Sequence, residues 1–151
     1  MRHFWIIVFL VLGCTSRPPY EGKSIAQLER MLESTDSTEQ AQAAFGLSLK
    51  GADARTAVAK LVPLLQSSQT IARQNAALAL TSIGPDAREA VPALTEALRD
   101  SEWPVRRQAA LALAAIGSDA GAAKAALQAL SQDPEPRVRE SAAEALKKIA
   151  D

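Results

Sequence analysis

A 33-residue echo runs through most of this chain and ends almost at its last residue. Arg73, Ala76, Ala77, Leu78, Leu80, Ile83 and Gly84 return as Arg106, Ala109, Ala110, Leu111, Leu113, Ile116 and Gly117. They return again as Arg139, Ala142, Ala143, Glu144, Leu146, Ile149 and Ala150, and earlier Gln40, Ala43, Ala44, Phe45, Leu47 and Gly51 hold the same slots. Self-similarity at a fixed period of this size marks stacked units that cannot bury their apolar faces alone and so build one elongated core. Such a chain offers area before it offers chemistry.

From Ser24 onward apolar residues recur three and four apart, the helical period. Aromatics are only 4% of the chain against 48% apolar residues, so the core is built of Ala, Leu, Ile and Val, which suits close-packed helices. Each unit reads as two helices. The first, A-type, helices are expected over 39–50, 71–83, 105–116 and 137–150, with Ala76, Leu80 and Ile83 and their equivalents facing inward. Gly51, Gly84 and Gly117 stand where a left-handed backbone would close the first three. B-type helices follow to about Gln66, Arg99 and Ser131, with Asp53, Asp86 and Asp119 placed to accept hydrogen bonds at their starts.

Residues 24–33 repeat the Leu61 and Leu65 spacing in Leu28 and Leu32, and so form a lone B-type helix opening the array. Pro63 and Pro92 are expected to bend or restart their helices, because proline removes a backbone donor. The third B helix leaves register, with Leu127 and Leu130 three apart where Leu94 and Leu98 are four apart. In the last unit Glu144, Lys147 and Lys148 replace Leu111, Ala114 and Ala115, which predicts a polar, solubilising end.

The N-terminus carries a different message. Met1, Arg2 and His3 are followed by an unbroken apolar run from Phe4 to Leu12 and then Gly13-Cys14. That run is too short for the roughly 20 residues that cross a bilayer as helix, and reads as a cleavable export signal over 1–13. Residues 14–23, with Pro18-Pro19 and Gly22, read as an extended tether, and 24–151 as the repeat domain.

Val11-Leu12-Gly13-Cys14 resembles the lipobox of bacterial lipoproteins. The resemblance implies cleavage before Cys14 and acylation of that cysteine, hence a lipid-anchored protein of the bacterial cell envelope. With Thr15 rather than Asp after it, the destination in a host with two membranes is the outer one. The alternative is that Cys14 is a small buried residue of an ordinary signal or membrane segment.

Loss of the leader removes His3, the only histidine, and acylation removes the only thiol, so Ser-His-Asp, Cys-His and His/Cys zinc chemistry are excluded. Of the 17 basic residues Arg2 also goes, leaving one more acidic than basic side chain and no charge surplus for nucleic acid. Asp100, Glu102, Asp133 and Glu135 can be imagined as an acid/base pair, but they fall in matching turns where acidic residues solvate the surface and favour the next helix start. The ladder of Arg73, Arg106 and Arg139 reads as structural, each arginine bonding the adjoining turn, for example Arg106 with Asp100 and Arg139 with Asp133. Trp103 is peculiar to one unit, and either covers a gap between repeats or anchors a partner.

The block from about Ser24 to Ala150 resembles the HEAT-repeat family, in particular the short HEAT-like repeats also found in phycobilin lyases. The residues that carry the likeness are Val105-Arg106 through Ile116-Gly117, Asp100 and Asp133 ahead of Val105-Arg106 and Val138-Arg139, and Ala90-Val91-Pro92-Ala93-Leu94. Ankyrin repeats share the period but would show a Thr-Pro-Leu-His-like start, which is absent. The resemblance implies an all-α, right-handed α-solenoid of about four helix pairs, eight helices, whose inner face of B helices serves as a binding groove. Groove candidates are then Gln27, Arg30, Lys60, Glu89 and Glu96, with Trp103 as a further contact point.

The function expected is a non-enzymatic adaptor for an unidentified protein or peptide, with no cofactor, metal, nucleic acid or small-molecule substrate. The alternatives are a lyase or lyase accessory, by likeness to the phycobilin enzymes, and a structural envelope protein that pairs with copies of itself.

Overall fold

The apolar strips lie on helices. The computed structural model describes residues 17–150; the leader assigned to 1–13, Cys14 and the first residues of the tether lie outside them. Helix α1 spans Ile25–Leu32, α2 Ser37–Ser48, α3 Val58–Leu61, α4 Thr70–Ile83, α5 Val91–Ala97, α6 Trp103–Ile116, α7 Lys124–Ala129 and α8 Pro136–Ala150. No strand occurs among the described residues. The A helices α2, α4, α6 and α8 pack in succession, while α1 and the rods around α3, α5 and α7 form the second row. The architecture is an all-α solenoid.

The inner strip is where the period places it. Ala76, Leu80, Ile83, Ala109, Leu113, Ile116, Ala142 and Ile149 are buried, and only Leu146, near the open end, is half-buried. Gly51, Gly84 and Gly117 have φ of +58°, +73° and +78°. For Gly84 and Gly117 ψ is −134° and −140°, so the chain turns through a region open only to glycine rather than through the left-handed helical well. The apolar stretch Trp103–Gln132 has the length and composition to cross a membrane, but the turn at Gly117 folds it into two antiparallel rods of the solenoid.

The second row begins differently from expectation. Each rod opens at the glycine itself as a 3₁₀ helix, over Gly51–Ala57, Gly84–Ala90 and Gly117–Ala123, before α3, α5 and α7 take over. Asp53, Asp86 and Asp119 therefore sit inside the first turn, exposed, and none caps a helix start. The cause lies in the alanines three apart. A 3₁₀ turn of three residues brings i and i+3 onto one face, and Ala54 with Ala57, Ala87 with Ala90 and Ala120 with Ala123 are all wholly buried.

Pro92 occupies the first turn of α5, and Pro63 the first turn of the 3₁₀ segment Val62–Gln66 that follows α3, so both restart a helix. The switch at Lys124 needs no proline, since Ala125 stands there. α7 is short, gives way to 3₁₀ at Leu130, and buries only Leu127.

The two ends of the array differ. Residues 18–23 are not an extended tether: they form a turn that seats the Tyr20 ring against Phe45 at 5.1 Å, edge to face. Gly46 makes room, because a Cβ there would come within 2.7 Å of Tyr20 Cβ and 2.8 Å of a Leu28 methyl. At the other end Glu144, Lys147 and Lys148 are exposed, and so is Ala143, whose counterparts Ala77 and Ala110 are wholly buried.

Candidate functional site

Consecutive rods of the second row touch, but leave a series of hollows between them. One, of about 410 Å³, lies between α1 and the rod of α3, walled by Leu32, Glu33, Lys60, Pro63 and Leu64. The next, of about 430 Å³, is walled by Leu65, Ala93, Glu96, Ala97 and Arg99 and shares Gln66 and Ser67 with the first. A third, of about 230 Å³, carries on from Arg99 over Ala125, Ala126, Ala129 and Leu130. Shared walls make the three a single groove along the second row, floored by small apolar side chains and edged with charge.

The edge charges are partly matched. Lys60 Nζ lies 2.8 Å from Glu33 and 3.5 Å from Glu29. Its hydrogen bond with Glu33 raises the Lys60 ammonium above its ordinary value and lowers the Glu33 carboxyl. Gln66 Nε2 donates to Glu96 at 3.1 Å across the groove.

The arginine ladder reaches the groove, with Arg73 and Asp100 lining the second hollow. Arg73 donates through Nε and Nη2 to Asp100 at 2.6 and 2.9 Å, and Arg106 does the same to Asp133 at 2.7 and 3.0 Å. The carboxylate partner thus stands 27 residues ahead of each arginine. The sequence reading placed Arg106 with Asp100 in the adjoining turn, and the contact there is with the backbone instead: Arg106 Nη1 donates to the Asp100 carbonyl at 2.8 Å. Both arginines have their pKa raised, first by the carboxylate hydrogen bond. In Asp133 the Arg106 hydrogen bond outweighs burial and holds the carboxyl below its usual range. In Asp100 burial pushes upward, and Arg73, the Glu102 N–H and Arg106 together overcome it.

Each carboxylate also shapes its turn, accepting the N–H two residues on, Glu102 for Asp100 and Glu135 for Asp133, both at 2.9 Å. The same turn recurs without charge, where Ser67 Oγ accepts from Gln69 and Ser34 Oγ from Asp36. Gln40 fills the arginine slot of its unit, donating to the Ser34 carbonyl at 2.8 Å. Asp100 and Asp133, each held by an arginine of the preceding unit, are therefore structural.

Of the residues expected at a site, Lys60 and Glu96 wall the groove. Gln27 is spent on the α1 capping box, its side chain accepting from the Ser24 N–H at 2.8 Å. Arg30 and Glu89 are exposed but wall none of the hollows. Trp103 is half-buried, with the Arg137 guanidinium 5.4 Å from its ring centre, so it bridges adjoining turns. Cys14 lies outside the described residues. Arg99, Ala93 and Pro63 were missed as groove residues, since a hollow is made by what small side chains leave open and no chemical type signals it. Among the described residues no three His, Cys, Asp or Glu side chains gather as a metal-holding group.

The sequence matches the family model for HEAT repeats over residues 25–114 and again over 85–147. The chain belongs to the HEAT-repeat family. No curated protein matches it. Among solved structures, this HEAT-repeat chain is similar to an engineered protein at 31% identity and a TM-score of 0.72, covering 85% of this chain and 63% of that one. Human deoxyhypusine hydroxylase, solved with glycerol, is 34% identical at a TM-score of 0.64 over 88% of this chain and 46% of its own. A designed armadillo repeat protein in complex with the peptide (KR)4 has the same fold, with a TM-score of 0.74 at 20% identity, over 83% of this chain and 64% of its own. The chain spans less than two thirds of the length of each of these structures. These likenesses agree on a repeat solenoid.

Proposed function

We propose that this HEAT-repeat protein is a non-enzymatic adaptor that holds an extended segment of another protein in its groove while a lipid on Cys14 keeps it at the membrane of a bacterial envelope, the outer membrane where there are two. The observation that carries the reading is the groove: three hollows sharing their walls from Leu32 to Leu130. Helices packed about 8–10 Å apart space the hollows so that an extended chain, rising about 3.3 Å per residue, passes about three residues from one to the next. The peptide in the designed armadillo repeat structure supports this use of the fold. The non-enzymatic part rests on the sequence, in which His3 and Cys14 are the only histidine and cysteine.

The anchor rests on Phe4 to Cys14. Because Tyr20 is already packed on the solenoid, only five residues, 15–19, separate the lipid-bearing Cys14 from it, a span of about 20 Å. The domain then works close to the membrane surface, with two or more acyl chains giving stable attachment.

Two experiments test the two halves separately. A photocrosslinking residue at Glu96 should capture an envelope protein in native membranes, and the same residue at Glu89, off the groove, should not; equal capture at both sites would reject the groove. Cys14→Ser should release the protein from the membrane fraction and abolish fatty-acid labelling, and unchanged fractionation would reject the anchor.

A further inference from the structure

The first unit is fixed to its own tether. The Tyr20 ring packs edge to face on Phe45 at 5.1 Å, and the turn around it is closed by the Glu21 N–H donating to the Pro18 carbonyl at 2.8 Å and the Lys23 N–H to the Tyr20 carbonyl at 3.3 Å. Ser24 then caps α1. With Gly46 leaving room for Tyr20 beside Leu28, the chain enters the solenoid at one determined place instead of swivelling. A lipid on Cys14 therefore decides which corner of the first unit lies nearest the bilayer.

That corner carries the most exposed large apolar side chain among the described residues. Leu49, 64% exposed, follows Phe45 by four residues and Gly46 by three, so it stands on the side of α2 where Tyr20 packs, one turn nearer the helix end. Lys50 beside it is exposed, Lys23 is half-buried in the turn, and Arg17 is exposed in the tether; Glu21 and Asp53 are the exposed acidic side chains close by in the chain. A single exposed leucine is ordinary. Here, however, the counterparts of Leu49 in the later units are Ser82, Ala115 and Lys148, and those of Lys50 are the buried Ile83, Ile116 and Ile149. Exposed leucine beside exposed lysine at this place belongs to the unit next to the tether alone.

We propose that this corner of the first unit rests on the membrane, with Leu49 entering the headgroup layer and Arg17, Lys23 and Lys50 meeting anionic lipid headgroups. The surface depends on the lipid proposed at Cys14, and gives that anchor an orientation. A tether of about 20 Å holds the corner within reach of the bilayer, so a contact too weak to bind a free protein is populated in a tethered one. Leucine supplies apolar area while the basic side chains extend beside it to the headgroups, the composition of segments that lie in the interface. Farther along the same edge the exposed side chains of the A-to-B turns include Asp86 and Asp119, which an anionic surface repels. Ile71, the other exposed large apolar residue, lies in the first turn of α4, at the opposite ends of the A helices.

The test reconstitutes the full lipoprotein in vesicles of phosphatidylethanolamine and phosphatidylglycerol. An acylated Cys14 has no free thiol, so Ala52→Cys, exposed and three residues past Leu49, provides a single site for a bimane probe, and Ile71→Cys provides the control. Spin-labelled lipid should quench the probe at 52 several-fold more than the probe at 71, and added salt should narrow the difference by screening the basic side chains. Leu49→Asp in the Ala52→Cys chain should abolish the excess quenching while the protein still floats with the vesicles and keeps its helical circular dichroism. Equal quenching at both sites in a protein that floats, or an excess that survives Leu49→Asp, would overturn the surface and leave the anchor standing. A protein that fails to float would overturn both.

Discussion

Arg106 grips Asp133 at two points, 2.7 and 3.0 Å, while the same carboxylate accepts the Glu135 N–H at 2.9 Å. One side chain thus ties the turn that launches α8 to the helix of the preceding unit. Stacking and turn formation become a single event, which is how a solenoid whose units touch only their neighbours acquires cooperativity. The arrangement repeats at Arg73 and Asp100, while in the first unit Gln40 holds the arginine slot and bonds only backbone carbonyls.

The pair's side chains are 14% and 5% exposed, so Asp133→Asn leaves a cation nearly buried without its partner. Removing one member of such a pair costs about 3 kcal/mol. The double change Arg106→Gln with Asp133→Ser, which installs the residues found at 40 and 67, should cost clearly less than the sum of its single changes. Urea unfolding of the four proteins in a double-mutant cycle measures the difference, and strict additivity would mean that the rung is not a coupled unit.

Acid should weaken the array from the ladder outward. Asp100 and Asp133 have folded pKa values below their ordinary one, so each contributes stability that is fully present above the unfolded value of about 3.9 and disappears as pH falls through the lowered folded value. Unfolding midpoints should be level from pH 7 to about pH 5 and fall steeply below about pH 4. Asp133→Asn should be less stable at neutral pH but flatter below it; a profile parallel to the parent's would assign the acid sensitivity elsewhere.

Much of the fold is legible because helical burial has a period. Ala76, Leu80 and Ile83 announce their face by spacing, and Gly84 and Gly117 mark turns that no other residue makes cheaply. What is not legible depends on contacts at a distance along the chain. Asp100 is close in sequence to Arg106 but pairs with Arg73, because the guanidinium reaches across to the next unit. Alanines three apart, such as Ala54 and Ala57, read equally as α or 3₁₀ until packing decides, and nothing local tells that Tyr20 folds back onto Phe45. The groove escapes for a related reason: Ala93 and Ala129 shape it by being small.

The glycines separate strain from space. A Cβ at Gly84 would find only the Ala115 carbonyl oxygen, at 3.8 Å, so Gly84→Ala suffers no clash and reports the backbone alone. With φ at +73° and ψ at −134° the cost should be about 1–3 kcal/mol. Gly121 is the opposite case: its φ is not positive, nothing lies within 4 Å, and its counterparts are Arg55 and Arg88. Gly121→Ala should stabilise by about 0.4–1 kcal/mol through the unfolded chain. Thermal unfolding of the two variants should move in opposite directions.

If the groove is the binding surface, filling it should abolish binding without disturbing the fold. Ala93 is half-exposed on the wall of the 430 Å³ hollow, outside the buried strip of Leu94, Ala97 and Leu98, so a larger side chain there projects into the groove rather than the core. Ala93→Trp should therefore change unfolding free energy by no more than about 0.5 kcal/mol, as for a surface site. It should nevertheless remove crosslinking from Glu96, on the same hollow, while Glu89→Trp, which walls none, leaves it intact. Loss of capture together with a fall in stability would trace to the core instead, and retained capture in a stable Ala93→Trp protein would mean that the partner sits on another face.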